Sequence, residues 1–292
     1  MEENFEGVQL LLVPDCLAQG TRAVELLYEK IVHLQPANQY IFDMNSVKFI
    51  EPCGVIALLS AVRHCASQSA QRVLMTSLNE HLYAYLERMN LFEIAAIWLE
   101  PVTPLDEAWS RNANTIRLLE LTPIKSYEDV TTVLERARGI FTPWLSPTEI
   151  ASLLRVVSEL CQNIYQHSGD ANGCVLIQKY HSEQNQVSIC LSVGDSGCGI
   201  RANLIRRYPW LGKDPVDFVR AAMDGNHTSR STNRGGLGLR TVRDIATAHR
   251  GYVTVRSETA SVTDWGKGEV RNCHTLAPIV GTQVSVRMRS SC

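Results

Sequence analysis

Three stretches decide the fold: Glu159-Leu160-Cys161-Gln162-Asn163-Ile164-Tyr165-Gln166-His167, then Gly194-Asp195-Ser196-Gly197-Cys198-Gly199-Ile200, then Gly235-Gly236-Leu237-Gly238-Leu239. The first lies in a strongly helical pattern, the second just after an apolar strand, and the third just before a helix. Each glycine-rich piece alone recurs by chance, but their order, spacing and matching secondary structure together read as a nucleotide site.

On the helix that follows Pro147, Glu159, Asn163 and His167 are four apart and so share one face, while Leu153, Leu154, Val157, Leu160, Cys161 and Ile164 mark the buried side. Magnesium takes hard oxygen ligands and keeps several waters while binding substrate phosphates, a role an asparagine carbonyl oxygen can share. Asn163 is therefore the metal candidate. Glu159, one turn away, is placed to orient or deprotonate a water or hydroxyl that attacks a γ-phosphate. An isolated Glu-x-x-x-Asn is more often a solvated polar helix face; it is the other two motifs that favour the functional reading here.

Asp195 sits at a strand end, where a carboxylate accepts a hydrogen bond from an adenine amino group, and Gly197 and Gly199 let the backbone approach the base. The competing reading is a simple Asp-x-Gly turn. Residues 224–234 are polar and rich in Ser, Thr, Asn and Gly, and Gly235, Gly236, Leu237 and Gly238 precede a helix through Val242, Ile245 and Ala246. Glycines before a helix N-terminus aim backbone N–H groups at an anion, so this segment is expected to cradle phosphates and act as a lid. Arg230 and Arg234 either add charge there or face solvent.

Outward from these motifs, 292 residues make about two domains at roughly 100–200 residues each. An apolar fraction of 45%, a charged fraction of 20% and a net charge of −2 describe an ordinary globular chain and point away from nucleic acid or an anionic membrane as the main partner. Nine cysteines, with no Cys-x-x-Cys pair and no zinc spacing, argue against a disulfide framework or structural metal and fit a reducing cytosol. The acidic N-terminus is unlike a signal peptide, and no apolar run reaches the ~18 residues of a membrane span. A cytoplasmic protein is expected.

The first part alternates strands and helices, the pattern of an α/β unit. Strands are predicted at 8–13, 40–43, 72–75 and 94–99, with helices at 17–34, at 54–64 and through Leu82, Tyr85, Leu86 and Met89. Residues 100–114, with Pro101 and Pro104, read as a linker. The second part opens with a strand at 116–121. Helices follow at 127–140 and from 147 to about 167, the latter announced by the capping box Ser146-Pro147-Thr148-Glu149. Strands at 174–180 and 187–193 pair across the turn 182–186, and two more are predicted at 252–256 and 282–288. The intervening stretch 258–280, with Trp265 and Cys273, is longer than a usual hairpin connection.

The three motifs resemble the N, G1 and G2 boxes of the GHKL (Bergerat-fold, HATPase_c) ATPase superfamily, over residues 110–290. The resemblance implies an α/β sandwich with a mixed sheet and a cleft on its helical face. It implies that ATP and Mg²⁺ are the cofactors, that Asn163 binds Mg²⁺ and Asp195 adenine, that Gly197 and Gly199 shape the base pocket, and that Gly236 and Gly238 contact phosphates. Gly281-Thr282 resembles the family's terminal Gly-Thr, whose threonine helps hold the adenine-binding aspartate. None of the eight histidines has the setting of a phosphoacceptor, and no gyrase-type transducer is expected after the last strand. The helix carrying Glu159 is most similar to that of anti-sigma-factor serine kinases, which retain the glutamate as base.

The stretch Ile41-Phe42-Asp43-Met44-Asn45-Ser46-Val47-Lys48-Phe49-Ile50-Glu51-Pro52-Cys53-Gly54-Val55 resembles the STAS domain of anti-sigma-factor antagonists, over residues 5–105. Cys53 occupies the position of the phosphorylated serine, so no phosphorylation is expected there, and docking or sensing is the implied role. A thiol at a helix N-terminus is either redox-sensitive or a small residue packed at a tight turn. Together the resemblances imply a bacterial signalling protein that phosphorylates a serine or threonine of a protein partner, itself a STAS-like antagonist or regulator, with a nucleotide-gated partner-binding switch of slow or no hydrolysis, or a GHKL ATPase, as the alternatives. Oligomer formation is compatible with this reading.

Overall fold

The computed structural model describes residues 7–102, 118–181, 186–227 and 237–290. The chain divides into two compact units, Met1–Thr115 and Ile116–Cys292. No described helix is long and apolar enough to cross a membrane.

The first unit is built on a parallel sheet of β1 (Val8–Leu12), β3 (Gln39–Asp43), β5 (Val73–Thr76) and β6 (Leu99–Pro101), in the order β1-β3-β5-β6. Helices α1 (Ala23–Val32), α2 (Pro52–Ala66), α3 (Glu80–Arg88) and the short α4 (Leu91–Ile94) lie in the crossovers that parallel pairing requires. Leu11, Tyr40, Phe42, Val73 and Met75 fill the core side of the strands. The helix expected over 17–34 begins only at Ala23. Cys16–Leu17 (β2) instead pairs with Phe49–Ile50 (β4), and Gly20 turns the chain at φ +86°. The strand expected at 94–99 is displaced to 99–101. Asn90, in the left-handed region, starts a helical turn in which Ile94 N–H bonds to Asn90 O and Ala95 N–H to Leu91 O, a helix/strand ambiguity typical of short apolar runs. Cys53 lies half-buried in the first turn of α2, beside Gly54, where an added Cβ would fall 2.3 Å from Leu17 O.

The second unit is a two-layer α/β sandwich. Its strands are β7 (Leu118–Pro123), β8 (Cys174–His181), β9 (Val187–Asp195), β10 (Tyr252–Glu258), β11 (Ala260–Gly266), β12 (Glu269–Cys273) and β13 (Ile279–Arg289). They form one sheet in the order β12-β11-β10-β13-β9-β8-β7, and every pairing among the described residues is antiparallel rather than mixed. The expected loop at 258–280 accounts for two of these strands. Glu258 at φ +50° and the Lys267–Gly268 turn fold it back as hairpins, and Trp265 packs on Tyr252 with ring centroids 5.9 Å apart.

Helices α5 (Tyr127–Phe141), α6 (Pro147–Asn163), α8 (Pro215–Asp224) and α9 (Gly238–Ala248) form the other layer, with a six-residue α7 (Gly199–Leu204) after β9. Val133, Phe141, Leu153, Val157, Phe218 and Val242 are fully buried or nearly so, as are Val255 and Val286 of the sheet. Burying each side chain of this size removes roughly 1.5–3 kcal/mol of unfavourable hydration. The capping box at Ser146 forms, with Ser146 N–H on Glu149 Oε2 at 2.8 Å, and Ser290 Oγ donates to Glu149 Oε1 at 2.9 Å. A second box, Ser126 with Asp129, starts α5; its aspartate in place of Glu or Gln hid it from the usual pattern.

Candidate nucleotide site

Helix α6 ends at Asn163, four residues short of the expected end, and Ile164–Ser168 form a π-helical turn closed by Gly169 at φ +70°. The wider turn takes His167 out of the four-residue register with Glu159 and Asn163. Its carbonyl accepts instead from Asn203 Nδ2 at 3.1 Å and from Cys198 Sγ at 3.3 Å, while Ser168 O accepts from Cys198 N–H at 3.0 Å. Carbonyls left over at the helix end thus bind the glycine turn after β9. Burial pushes the thiol of Cys161, on the inward face of α6, well above its ordinary pKa, so it is inert packing.

Asp195, half-buried at the end of β9, accepts from Gly197 N–H through Oδ1 at 2.9 Å. Its backbone pairs with Thr282 on β13. The turn is packed against its surroundings. A Cβ on Gly197 would fall 1.9 Å from Ser168 O, and one on Gly281, at φ +80°, would fall 2.1 Å from Asp195 O. Gly199 is buried at φ +77° as the first residue of α7. Gly197→Ala is expected to lose about 1–3 kcal/mol of stability, because the methyl displaces the Ser168 carbonyl that holds Cys198. Thermal unfolding of the variant measures this; an unchanged Tm contradicts the packing described.

The second half of the site lies where α6 meets α9. A Cβ on Gly238, the first residue of α9, would stand 2.9 Å from Glu159 Oε2 and 3.8 Å from both heteroatoms of the Asn163 amide. Glu159 and Asn163 therefore face the amino end of α9, where unpaired backbone N–H groups and the helix dipole favour anions. Leu237 is the N-cap residue and is exposed. Gly235, Gly236, Arg230 and Arg234 lie outside the described residues. Arg155, one turn before Glu159, ion-pairs with its Oε1 at 2.7 Å; the arginine side chain is 61% exposed and the glutamate 19%. The i,i+4 spacing was the signal for this partner. Asp170 was another residue passed over: its Oδ2 accepts from Ser196 N–H at 2.7 Å and secures the start of the turn.

These residues fit Mg·ATP. Gly238 leaves space beside a carboxylate and a hard amide oxygen at an anion-favouring helix end. Among the described residues no group of three or more His, Cys, Asp and Glu is placed to hold a metal ion by itself. A cation held here by Asn163 would take its remaining ligands from phosphate and water, as magnesium does.

A search of curated proteins finds no match to this chain. Residues 148–289, which include all three motifs, match the family of histidine kinase-, DNA gyrase B- and HSP90-like ATPases. That span of the chain is accordingly an ATP-binding domain of the HATPase_c (GHKL) family.

Proposed function

We propose that this protein binds Mg·ATP and transfers the γ-phosphate to a serine or threonine hydroxyl of a partner protein. The observation that carries the reading is the convergence of Glu159 and Asn163 on the start of α9 at Gly238. Asp195 accepts a hydrogen bond from the adenine amino group, Gly197 and Gly199 shape the base pocket, Thr282 helps hold the aspartate, and Asn163 would supply an oxygen to Mg²⁺, which when bound would neutralise phosphate charge. Gly235, Gly236, Leu237 and Gly238 provide the phosphate-binding segment. Glu159 takes the proton of the attacking hydroxyl as its oxygen bonds to the γ-phosphorus, and ADP departs. The first unit, with its resemblance to STAS domains, recruits or restrains a partner of the same kind.

A second reading is favoured by the Arg155–Glu159 ion pair. It engages one oxygen, Oε1, of the carboxylate that would act as base, so nucleotide binding can serve to change partner affinity, with little turnover. Incubation with γ-labelled ATP and candidate partners separates the two. Stable label on a partner serine or threonine supports the kinase. ATP-dependent co-purification without label supports the switch and refutes phosphotransfer.

A further inference from the structure

We infer that Ser257 is a positioning residue that sets the purine selectivity of this site by fixing the Asp195 carboxylate; the inference rests on the reading of Asp195 as the acceptor for an adenine amino group. Ser257 lies near the end of β10 and is 1% exposed. Its Oγ donates to Gly281 O at 3.0 Å, accepts from Ile200 N–H at 3.1 Å and lies 3.5 Å from Thr282 Oγ1. A hydroxyl has one proton to give and two lone pairs to fill. With Thr282 as the third partner, donating its proton, all three are used.

These contacts close a ring. Asp195 pairs along the strand with Thr282 and holds Gly197 N–H through Oδ1. From Gly197 the chain runs through Gly199, where an added Cβ would be 3.1 Å from Ser257 Oγ, to Ile200. Ser257 then joins Ile200 to Gly281, which is packed so closely on Asp195 that a Cβ would stand 2.7 Å from Oδ1. The side chain that holds the glycine turn to β13 thereby sets where the Asp195 carboxylate sits.

Ser257 is itself anchored. The register of β10 on β13 shifts between Ser257 and Glu258. The neighbouring Arg256, 4% exposed, spans that shift with hydrogen bonds from its guanidinium to the carbonyls of Glu258, Ala260 and Ala277.

The consequence is chemical. Adenine presents an amino group where guanine presents a carbonyl, so a well-placed carboxylate attracts one and repels the other. Removing the Ser257 hydroxyl leaves Ile200 N–H and Gly281 O without their partner and frees the turn to shift, which costs the ATP-specific bond more than it costs contacts common to both nucleotides.

The test is titration calorimetry of the full chain with Mg·ATP and with Mg·GTP, comparing wild type, Ser257→Ala and Ser257→Cys, with circular dichroism to establish that each is folded. Ser257→Ala is expected to weaken ATP binding about tenfold and GTP binding by less than about twofold, so that the preference collapses. The thiol of Ser257→Cys fills the volume but bonds weakly, and is expected to fall between. Equal losses for both nucleotides, or an unchanged ATP/GTP ratio in the folded variants, overturn the inference and leave the site reading standing. A wild-type protein that binds neither nucleotide, or both equally, overturns the Asp195 reading itself.

Discussion

Glu159→Ala is expected to lower phosphoryl transfer or hydrolysis about 10²- to 10⁴-fold, the range contributed by a positioned general base, while Mg·ATP affinity changes by less than about threefold. The asymmetry follows from what Glu159 touches. Its Oε2 lies beside Gly238, at the proposed phosphate end, and the Asp195 turn, proposed to bind the base, belongs to a different element. Asn163→Ala is expected to differ in kind, lowering affinity for Mg·ATP more than affinity for ATP in the presence of a chelator, because the proposed function assigns the amide oxygen to the cation. Single-turnover kinetics with calorimetry separates the two. If Glu159→Ala turns over at the wild-type rate, the carboxylate is no base, and if Asn163→Ala shows the same magnesium dependence as wild type, the amide is no ligand.

The Arg155 pair bears on the proposed role of Glu159 as base. An ion pair whose arginine is 61% exposed contributes only about 0–1 kcal/mol, and salt screens it further. That biases Glu159 toward Arg155 by at most about a factor of five and does not lock it there. The two proposed readings, phosphotransfer and switch, therefore differ in whether the Glu159 carboxylate stays with Arg155.

Much of this arrangement is legible in the residues. The start of α6 follows from Ser146, Pro147 and Glu149, because a capping box depends on neighbours within one turn. The Glu159–Asn163 spacing fixes their common face for the same reason. Where contacts come from distant segments, the pattern is silent. At the π-helical turn 164–168 the carbonyls of His167 and Ser168 bond to the 196–203 segment, partners that are distant in sequence. Strands β11 and β12 were hidden by the bulge at Asp264–Gly266 and the short run Glu269–Cys273, whose pairing shows only once β10 lies alongside. Ser257 carries no local signal, since its three partners come from residues 200, 281 and 282.

Nucleotide affinity should fall most sharply at Asp195. Asp195→Asn keeps an oxygen to accept from Gly197 N–H at the 2.9 Å separation, so the turn retains its restraint, but the charge that strengthens the bond to an amino group is gone. Hydrogen bonds to charged groups are worth roughly 1.5–3 kcal/mol, which predicts a loss of about 10- to 100-fold in ATP affinity. Asp195→Ala removes both bonds. The glycine turn then keeps its ties to His167, Ser168, Asp170, Asn203 and Ser257 but loses the carboxylate, and a larger loss is expected, to the point of no measurable heat at ordinary protein concentrations. The graded pair matters more than either variant alone. A simple structural turn loses stability in Asp195→Ala, keeps it in Asp195→Asn, and shows the same affinity in both. A base-reading carboxylate loses affinity in Asp195→Asn while the unfolding temperature stays put. Calorimetric titration with Mg·ATP and thermal unfolding of the same two preparations distinguish these outcomes, and wild-type affinity in both variants removes Asp195 from the site.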